Sequence, residues 1–243
     1  MVQRGYAMIR PNSLYTGSQL AAAQAAVDAE LQRIKDQARK IGVLGAAPWL
    51  HQKRSPHASY VDDFEFAEAI SYSPGRLDLP ALIHRDPFNL PPWRDHPDMH
   101  ELCRYVFGRV CHQSIIGALW SFPGSSDTDW HRDGEAPMLV AVTATKDYPC
   151  DVGWLHVQPF THAHAARSQT QHTTSAASVP VPLRQGETLL FMYTTIHAGK
   201  PNLTDIDRCL LYTVYGPLGV QDSINHKPSF PSLFGGSKFE TGE

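Results

Sequence analysis

The sequence predicts a mostly β chain: an antiparallel sandwich or barrel in the C-terminal half, with a helical region packed against it from the N-terminal side. Three features carry the expectation. From about residue 113, short β-branched or aromatic runs ("SIIGALWSF", "MLVAVTAT", "VGWLHVQPF", "ETLLFMY", "CLLYTVYG") are separated by clusters of Gly, Pro, Asp and Ser. Such runs at fairly regular spacing are what sandwiches and barrels show. No long helical pattern falls between them, which argues against alternating β–α units and a parallel sheet. The third feature is the Ala-rich run 18–41, "SQLAAAQAAVDAELQRIKDQARKI", in which Leu20, Ala23, Val27, Leu31 and Ile34 recur at helical spacing.

Taken in order, residues 5–10, "GYAMIR", alternate weakly and form a short first strand. Ser18 is placed to cap the helix that follows. Residues 42–98, rich in Pro and aromatics ("YSPGRLDLPALIHRDPFNLPPWRDHP"), read as loops with one short helix, and residues 97–108 as a second helix. Residues 163–182, "AHAARSQTQHTTSAASVPVP", are small and polar. They read as a surface loop, either a passive linker or a lid over a substrate. The expected organisation is a single domain over 1–243: a helical and looped region 1–112, a β core 113–217 and a tail 218–243.

Composition sets the outer limits. A chain of 243 residues suggests one large domain or at most two small ones. Apolar residues make up 42%, enough for a substantial core, and charged residues 19%, too few for disorder. The formal net charge is −3 and Lys and Arg form no long block, so the basic footprint of a nucleic-acid or anionic-membrane binder is missing. A small molecule is the expected partner. Cys103, Cys111, Cys150 and Cys209 are scattered without a CxxC, as reduced thiols in a cytoplasmic protein would be. The first residues lack the apolar core of a signal peptide, and no run approaches the roughly 18 apolar residues of a membrane span. Thirteen histidines prompt a search for metal ligands.

In "DTDWHRDGE", residues 127–135, His131 and Asp133 stand two apart. On a strand that spacing points both side chains to one face. The pair alone reads equally as a polar turn. "FMYTTIHAGKPNLTDIDRCLLYTVYGP" adds His197 just after an apolar strand, and Arg208 at the head of another. Two histidines and a carboxylate can fill one face of an octahedron and leave three positions open, as in non-haem Fe(II) oxygenases. An arginine beside them can fork onto a carboxylate, as the distal group of 2-oxoglutarate requires. Zinc could take the same ligands, but Arg208 would then lack a purpose.

The chain resembles the phytanoyl-CoA dioxygenase family of Fe(II)/2-oxoglutarate oxygenases in four motifs, in order. "FPGSSDTDWHRDG" is similar to its PGS…WHxDG stretch, and "VGWLHVQPFTHAH" to its GxLxxxPGSH strand, with Phe160 where glycine is usual. "RQGETLLFMYTTIHAGKPNLTDIDR" is similar to its GD…F…HxGxxNxSxxxR pattern, and "GYAMIR" before an Ala/Leu-rich helix to its opening. The firm part of the match spans roughly 113–217. The resemblance implies a double-stranded β-helix, a jelly roll of the cupin kind. It implies His131, Asp133 and His197 as iron ligands and Arg208 as the 2-oxoglutarate anchor. Where the family often has a co-substrate-binding serine two residues after the distal histidine, this chain has Gly199, so Thr204 is the expected substitute hydroxyl. The implied cofactors are Fe(II), 2-oxoglutarate and O2. The implied reaction is hydroxylation, or another oxidation, of an unactivated C–H bond of a small metabolite or natural-product intermediate, releasing succinate and CO2. Halogenation is disfavoured because Asp133 is present. The rival from another class is a non-catalytic metal-binding jelly roll that recognises a small molecule.

Trp130, Gln158 and Tyr193 are possible wall residues around the substrate. Arg76 and Asp78, in "SPGRLDLP", read as a solvated loop pair or, more sharply, as substrate-recognising residues. His162 and His164 form an HxH pair, and the resemblance puts His162 at a strand end, in a packing role rather than as a ligand. His96 and His100, four apart on a helix but without a third ligand, suggest an exposed helix face.

Overall fold

The computed structural model describes residues 4–41, 65–71, 73, 75–164, 177–221 and 232–234. Strand β1 (Tyr6–Ile9) leads into helix α1 (Gly17–Lys40). Thr16, rather than Ser18, caps α1. Its hydroxyl accepts from the Gln19 amide at 3.4 Å while the Gln19 side chain accepts from the Thr16 amide at 2.8 Å. This reciprocal pair satisfies two donors that a helix start otherwise leaves open, whereas the Ser18 hydroxyl lies 3.1 Å from that of Thr16. The buried stripe Leu20, Ala23, Val27, Leu31, Ile34 and Ala38 keeps the 3.6-residue period read from the sequence.

Within 42–98, strands appear where loops are expected. These are β2 (Glu65–Phe66), β3 (Ala69–Ile70) and β4 (Arg76–Leu79), followed by a 3-10 turn at Leu82–His84. All four residues of β4 are buried, so Arg76 and Asp78 are not a solvated loop pair. The remaining strands are β5 (Cys111–Ser121), β6 (Leu139–Ala144), β7 (Leu155–Val157), β8 (Val179–Val181), β9 (Thr188–Met192), β10 (His197–Gly199) and β11 (Arg208–Pro217). Helix α2 (Pro97–Phe107) precedes β5 and ends on Gly108, which has φ of 66°. His96 lies at its N-terminus, 6% exposed, with Nε2 bonded to the Leu14 carbonyl at 3.0 Å. His100 bonds the Cys111 carbonyl and Asp95. The two are tethers between elements, not an exposed face. Most of the expected 163–182 loop and of the 218–243 tail, and residues 42–64, lie outside the described residues.

The strands form two antiparallel sheets, an eight-stranded one in the order β1-β9-β6-β11-β5-β4-β3-β2 and a three-stranded one in the order β10-β7-β8. Side-chain alternation assigns the faces of the large sheet. Leu77, Leu79, Ala118, Trp120, Cys209 and Leu211 point outward and pack with the apolar stripe of α1. Leu139, Ala141, Leu190 and Tyr215 pack with Met99 and Cys103 of α2. The opposite face, with Val140, Val142, Leu189, Phe191, Leu210 and Val214, packs on Leu155, Val157 and Val181 of the small sheet. The chain is therefore a jelly roll, mostly β, with helices on its outer face. The N-terminal region supplies part of the roll: β1 pairs with β9, and β4 with β5.

Candidate metal centre

His131 and His197 are brought together by the backbone. Each donates its amide to the other's carbonyl, at 3.0 and 2.9 Å, as an isolated antiparallel bridge. The ring centroids are 4.4 Å apart. Two residues on, the Asp133 amide donates to the Tyr193 carbonyl at 3.1 Å, which turns the carboxylate toward the same point. Asp133 Oδ1 lies 3.4 Å from His197 Nε2 and 3.8 Å from His131 Nε2, and the three donor atoms all fall within 4.8 Å of one another.

The donor chemistry fits a divalent metal. His131 Nδ1 is 2.6 Å from the Asp129 carbonyl and His197 Nδ1 is 3.0 Å from the Thr195 carbonyl. Those carbonyls hold the proton on Nδ1 and leave each Nε2 lone pair facing Asp133, the arrangement that orients metal-binding imidazoles. Burial pushes the His197 pKa down, opposed by the Asp133 carboxylate. The neutral form thus favoured is the one that can act as a ligand.

The triad stands at one side of a cavity of about 440 Å³, within the size range of small-molecule sites. Its apolar wall comes from the inward residues of the two sheets, among them Leu119, Val140, Val142, Leu155, Phe191 and Leu210. A second polar cluster sits where β4, β5 and β11 run side by side. Arg76, Ser121 and Arg208 are register partners across the three strands. Arg208 Nη2 donates to Ser121 Oγ at 2.6 Å and Arg76 Nη1 donates to the same oxygen at 2.8 Å. Arg76 also donates to the Ser126 and Lys200 carbonyls at 2.9 and 2.7 Å. Arg208 Nη1 donates to the Gly153 carbonyl, while its Nε has no partner among the described residues. Gly153 has φ of 80°, and a Cβ there would meet the Lys200 and Pro201 carbonyls, so only glycine brings this carbonyl close.

Both guanidinium groups are nearly inaccessible, at 3% and 1% exposure. Burial, with the neighbouring charge of Arg76, lowers the Arg208 pKa to about 9, and burial lowers that of Arg76 to about 10 despite Asp127. Two buried cations side by side make a strong anion site.

Among the other residues singled out from sequence, Tyr193 and Arg76 line the cavity. Trp130 instead lies under Lys200 Nζ, 4.9 Å from its ring centroid, and Gln158 is buried off the cavity wall. Thr204 belongs to the turn before β11. Its hydroxyl donates to Asn202 Oδ1 at 2.7 Å, and Asn202 Nδ2 donates to the Ser121 and Ile206 carbonyls. It braces the turn that delivers Arg208 and does not reach the cavity. The hydroxyls that do stand near Arg208 and Gly199 are Ser121 and Thr128, the latter accepting from the Gly199 amide at 2.7 Å. A Cβ at Gly199 would come within 2.8 Å of Arg76 Nη1, so the missing side chain is the space that Arg76 fills.

Sequence reasoning singled out Asp78 beside Arg76 but passed over Ser121 and Tyr212. A signal existed for Tyr212. Counting by twos along a strand from Arg208 gives Leu210, Tyr212 and Val214, and from Arg76 gives Asp78, all of which line the cavity. Ser121 carries no such mark, since its role comes only from register.

The model of the family described as phytanoyl-CoA dioxygenase (PhyH) matches residues 2–209. No curated protein matches the sequence at a significant level. Among solved structures, the chain is similar to the non-heme alpha ketoglutarate dependent epimerase SnoN from nogalamycin biosynthesis (19% identity, 89% of this chain and 77% of that one, TM-score 0.62). SnoN has also been crystallised in complex with Fe3+, alpha ketoglutarate and nogalamycin RO. Likewise similar are the carbocyclase SnoK from the same biosynthesis (19% identity, 97% and 90%, TM-score 0.57) and EvdO2 from Micromonospora carbonacea var. aurantiaca complexed with 2-oxoglutarate (16% identity, 91% and 91%, TM-score 0.58). At these identities the likeness is one of fold.

Proposed function

Because the chain belongs to the phytanoyl-CoA dioxygenase family, we propose that it is an Fe(II)- and 2-oxoglutarate-dependent oxygenase that oxidises a C–H bond of a small metabolite or natural-product intermediate, using O2 and releasing succinate and CO2. The observation that carries the reading is the convergence of His131, Asp133 and His197 within 4.8 Å, in a cavity that also holds a buried guanidinium pair. Iron held by the three ligands supplies dioxygen activation when bound. The chain's own residues do the rest. Asp129 and Thr195 fix the imidazole tautomers through their carbonyls. Arg208, with Arg76 beside it, binds the distal carboxylate of 2-oxoglutarate in charge-assisted hydrogen bonds. Arg76, which lines the cavity where Thr204 does not, fills the role expected of that hydroxyl. The apolar residues Val140, Leu155 and Phe191 keep water from the reacting carbon.

A small, largely apolar substrate is supported by the cavity's size and lining, and by the natural-product pathway named for SnoN and SnoK. No described helix is long and apolar enough to cross a membrane.

Anaerobic titration of the protein with Fe(II) and 2-oxoglutarate tests the proposal. The expected result is the weak visible charge-transfer band of the iron chelate, lost or much weakened in Arg208→Ala. An iron-loaded wild type without the band would overturn the oxygenase reading and leave a non-catalytic metal-binding jelly roll in its place.

A further inference from the structure

Asp78 and Tyr212 lie in the same cavity and are used by nothing described so far. Tyr212 Oη donates to Asp78 Oδ1 at 2.8 Å. The two are not register partners: Asp78 pairs with Leu119 and Tyr212 with Gly117. The tyrosine therefore leans from β11 diagonally across β5 to reach β4. Gly117 makes that crossing possible. A Cβ there would run into the Tyr212 ring and hydroxyl, and the φ of Gly117 is not positive, so the glycine provides room rather than backbone freedom. Glycine in a strand interior is destabilising by itself. Its presence under the ring marks the pair as built, not incidental.

A carboxyl group in this position is costly. Asp78 is 8% exposed, and burial raises its pKa to about 7, with Asp133 adding to the rise and the tyrosine hydrogen bond opposing it. One hydroxyl occupies Oδ1, and Oδ2 has no hydrogen-bond partner among the described residues. An apolar pair would close the same wall at lower cost.

We propose that Asp78, held by Tyr212, is the substrate-recognising acceptor of the cavity and binds a neutral hydroxyl group on an otherwise apolar substrate. The apolar part follows from the neighbouring walls, Leu119, Val142 and Leu210. The neutrality follows from charge. Arg76 lies two residues from Asp78 on the same face of β4, about 7 Å along the strand, with Arg208 beside it. A substrate ammonium would meet those cations and any metal at the triad, whereas a hydroxyl donates to Oδ2 without that repulsion. The proposal rests on the cavity being the substrate pocket.

Three probes of one shape, benzyl alcohol, benzylamine and toluene, titrated against the full chain by ligand-observed NMR without added metal or 2-oxoglutarate, test it. Wild type is expected to bind benzyl alcohol about tenfold more tightly than toluene, the worth of one well-made hydrogen bond to a carboxylate, and benzylamine no more tightly than toluene. Asp78→Leu should bring the alcohol down to the level of toluene while leaving toluene unchanged. Asp78→Asn, which keeps an acceptor oxygen, should retain most of the preference, and Tyr212→Phe, which keeps the acceptor but releases its anchor, should reduce the preference without abolishing it. Equal binding of alcohol and toluene to wild type, an alcohol preference surviving in Asp78→Leu, a preference wholly lost in Tyr212→Phe, which would make the tyrosine the recognising group, or a preference for benzylamine would each overturn the proposal. Because no metal or turnover enters, such a result leaves the oxygenase reading standing. A missing iron-chelate band overturns that reading and leaves the probe result as it is.

Discussion

Ser121 Oγ is the atom on which Arg76 and Arg208 converge. A single hydroxyl cannot neutralise two guanidinium charges, so the pair is poised for a ligand that brings its own negative charge. Arg76→Met should therefore weaken 2-oxoglutarate binding by roughly 10- to 100-fold, the range for a hydrogen bond to a charged group. Binding titrations on the Mn(II)-loaded protein read this directly, and an unchanged affinity would remove Arg76 from the co-substrate site. Asp78 makes a prediction of opposite kind. Its pKa is about 7 when folded, against the ordinary 3.8. Between those values the folded chain holds a proton that the unfolded chain has released, so stability falls as pH rises from about 4 to 7. Asp78→Asn removes that loss. Urea unfolding at several pH values should show the variant gaining on wild type across this window, by a few kcal/mol at most. At this scale the convergence of His131, Asp133, His197 and Arg208 on one cavity was legible because ligand chemistry calls for those residue types at those spacings. Thr204 was misplaced because its hydroxyl's partner, Asn202, lies within the same turn and satisfies it locally.

Strand β11 shows how one element serves two faces. Arg208, Leu210, Tyr212 and Val214 face the cavity, while Cys209 and Leu211 pack outward with the α1 side and Tyr215 with the α2 side. Its neighbour β5 yields to it at one place, Gly117. Gly117→Ala should destabilise the fold by about 1–3 kcal/mol through overpacking against the Tyr212 ring. The same alanine should be nearly neutral in a Tyr212→Ala background. A double-mutant cycle in denaturant reads the coupling, and additive effects would mean that the ring is free to move aside. The helices α1 and α2 and the strands β1, β5, β6, β9 and β11 were legible because their periodicity is internal to each segment. Strands β2 to β4 were not. Two to four residues carry too little pattern, and what makes β4 a strand is pairing with β5, more than thirty residues later in the chain.

On the scale of the whole molecule, the candidate metal ligands come from the loop after β5 and from β10, while the guanidinium pair comes from β4 and β11. A ligand that bridges both groups ties the two sheets together. Mn(II) with 2-oxoglutarate at about a hundred times its dissociation constant should add roughly 2.7 kcal/mol of stability. For a chain of this size that corresponds to a rise of about 5–10 °C in Tm. Differential scanning fluorimetry should show the rise in wild type and little of it in Arg208→Ala. The strand order has a consequence for how the molecule is made. The last strand among the described residues, β11, is a central one in the large sheet, lying between β6 and β5. Until a ribosome has delivered residues beyond 208, the sheet has an open seam with two unpaired apolar edges, and no cavity floor exists to receive a co-substrate. A nascent chain stalled just short of Arg208 is thus two half-sheets exposed to aggregation, and the residue proposed to anchor the co-substrate is also among those that close the fold.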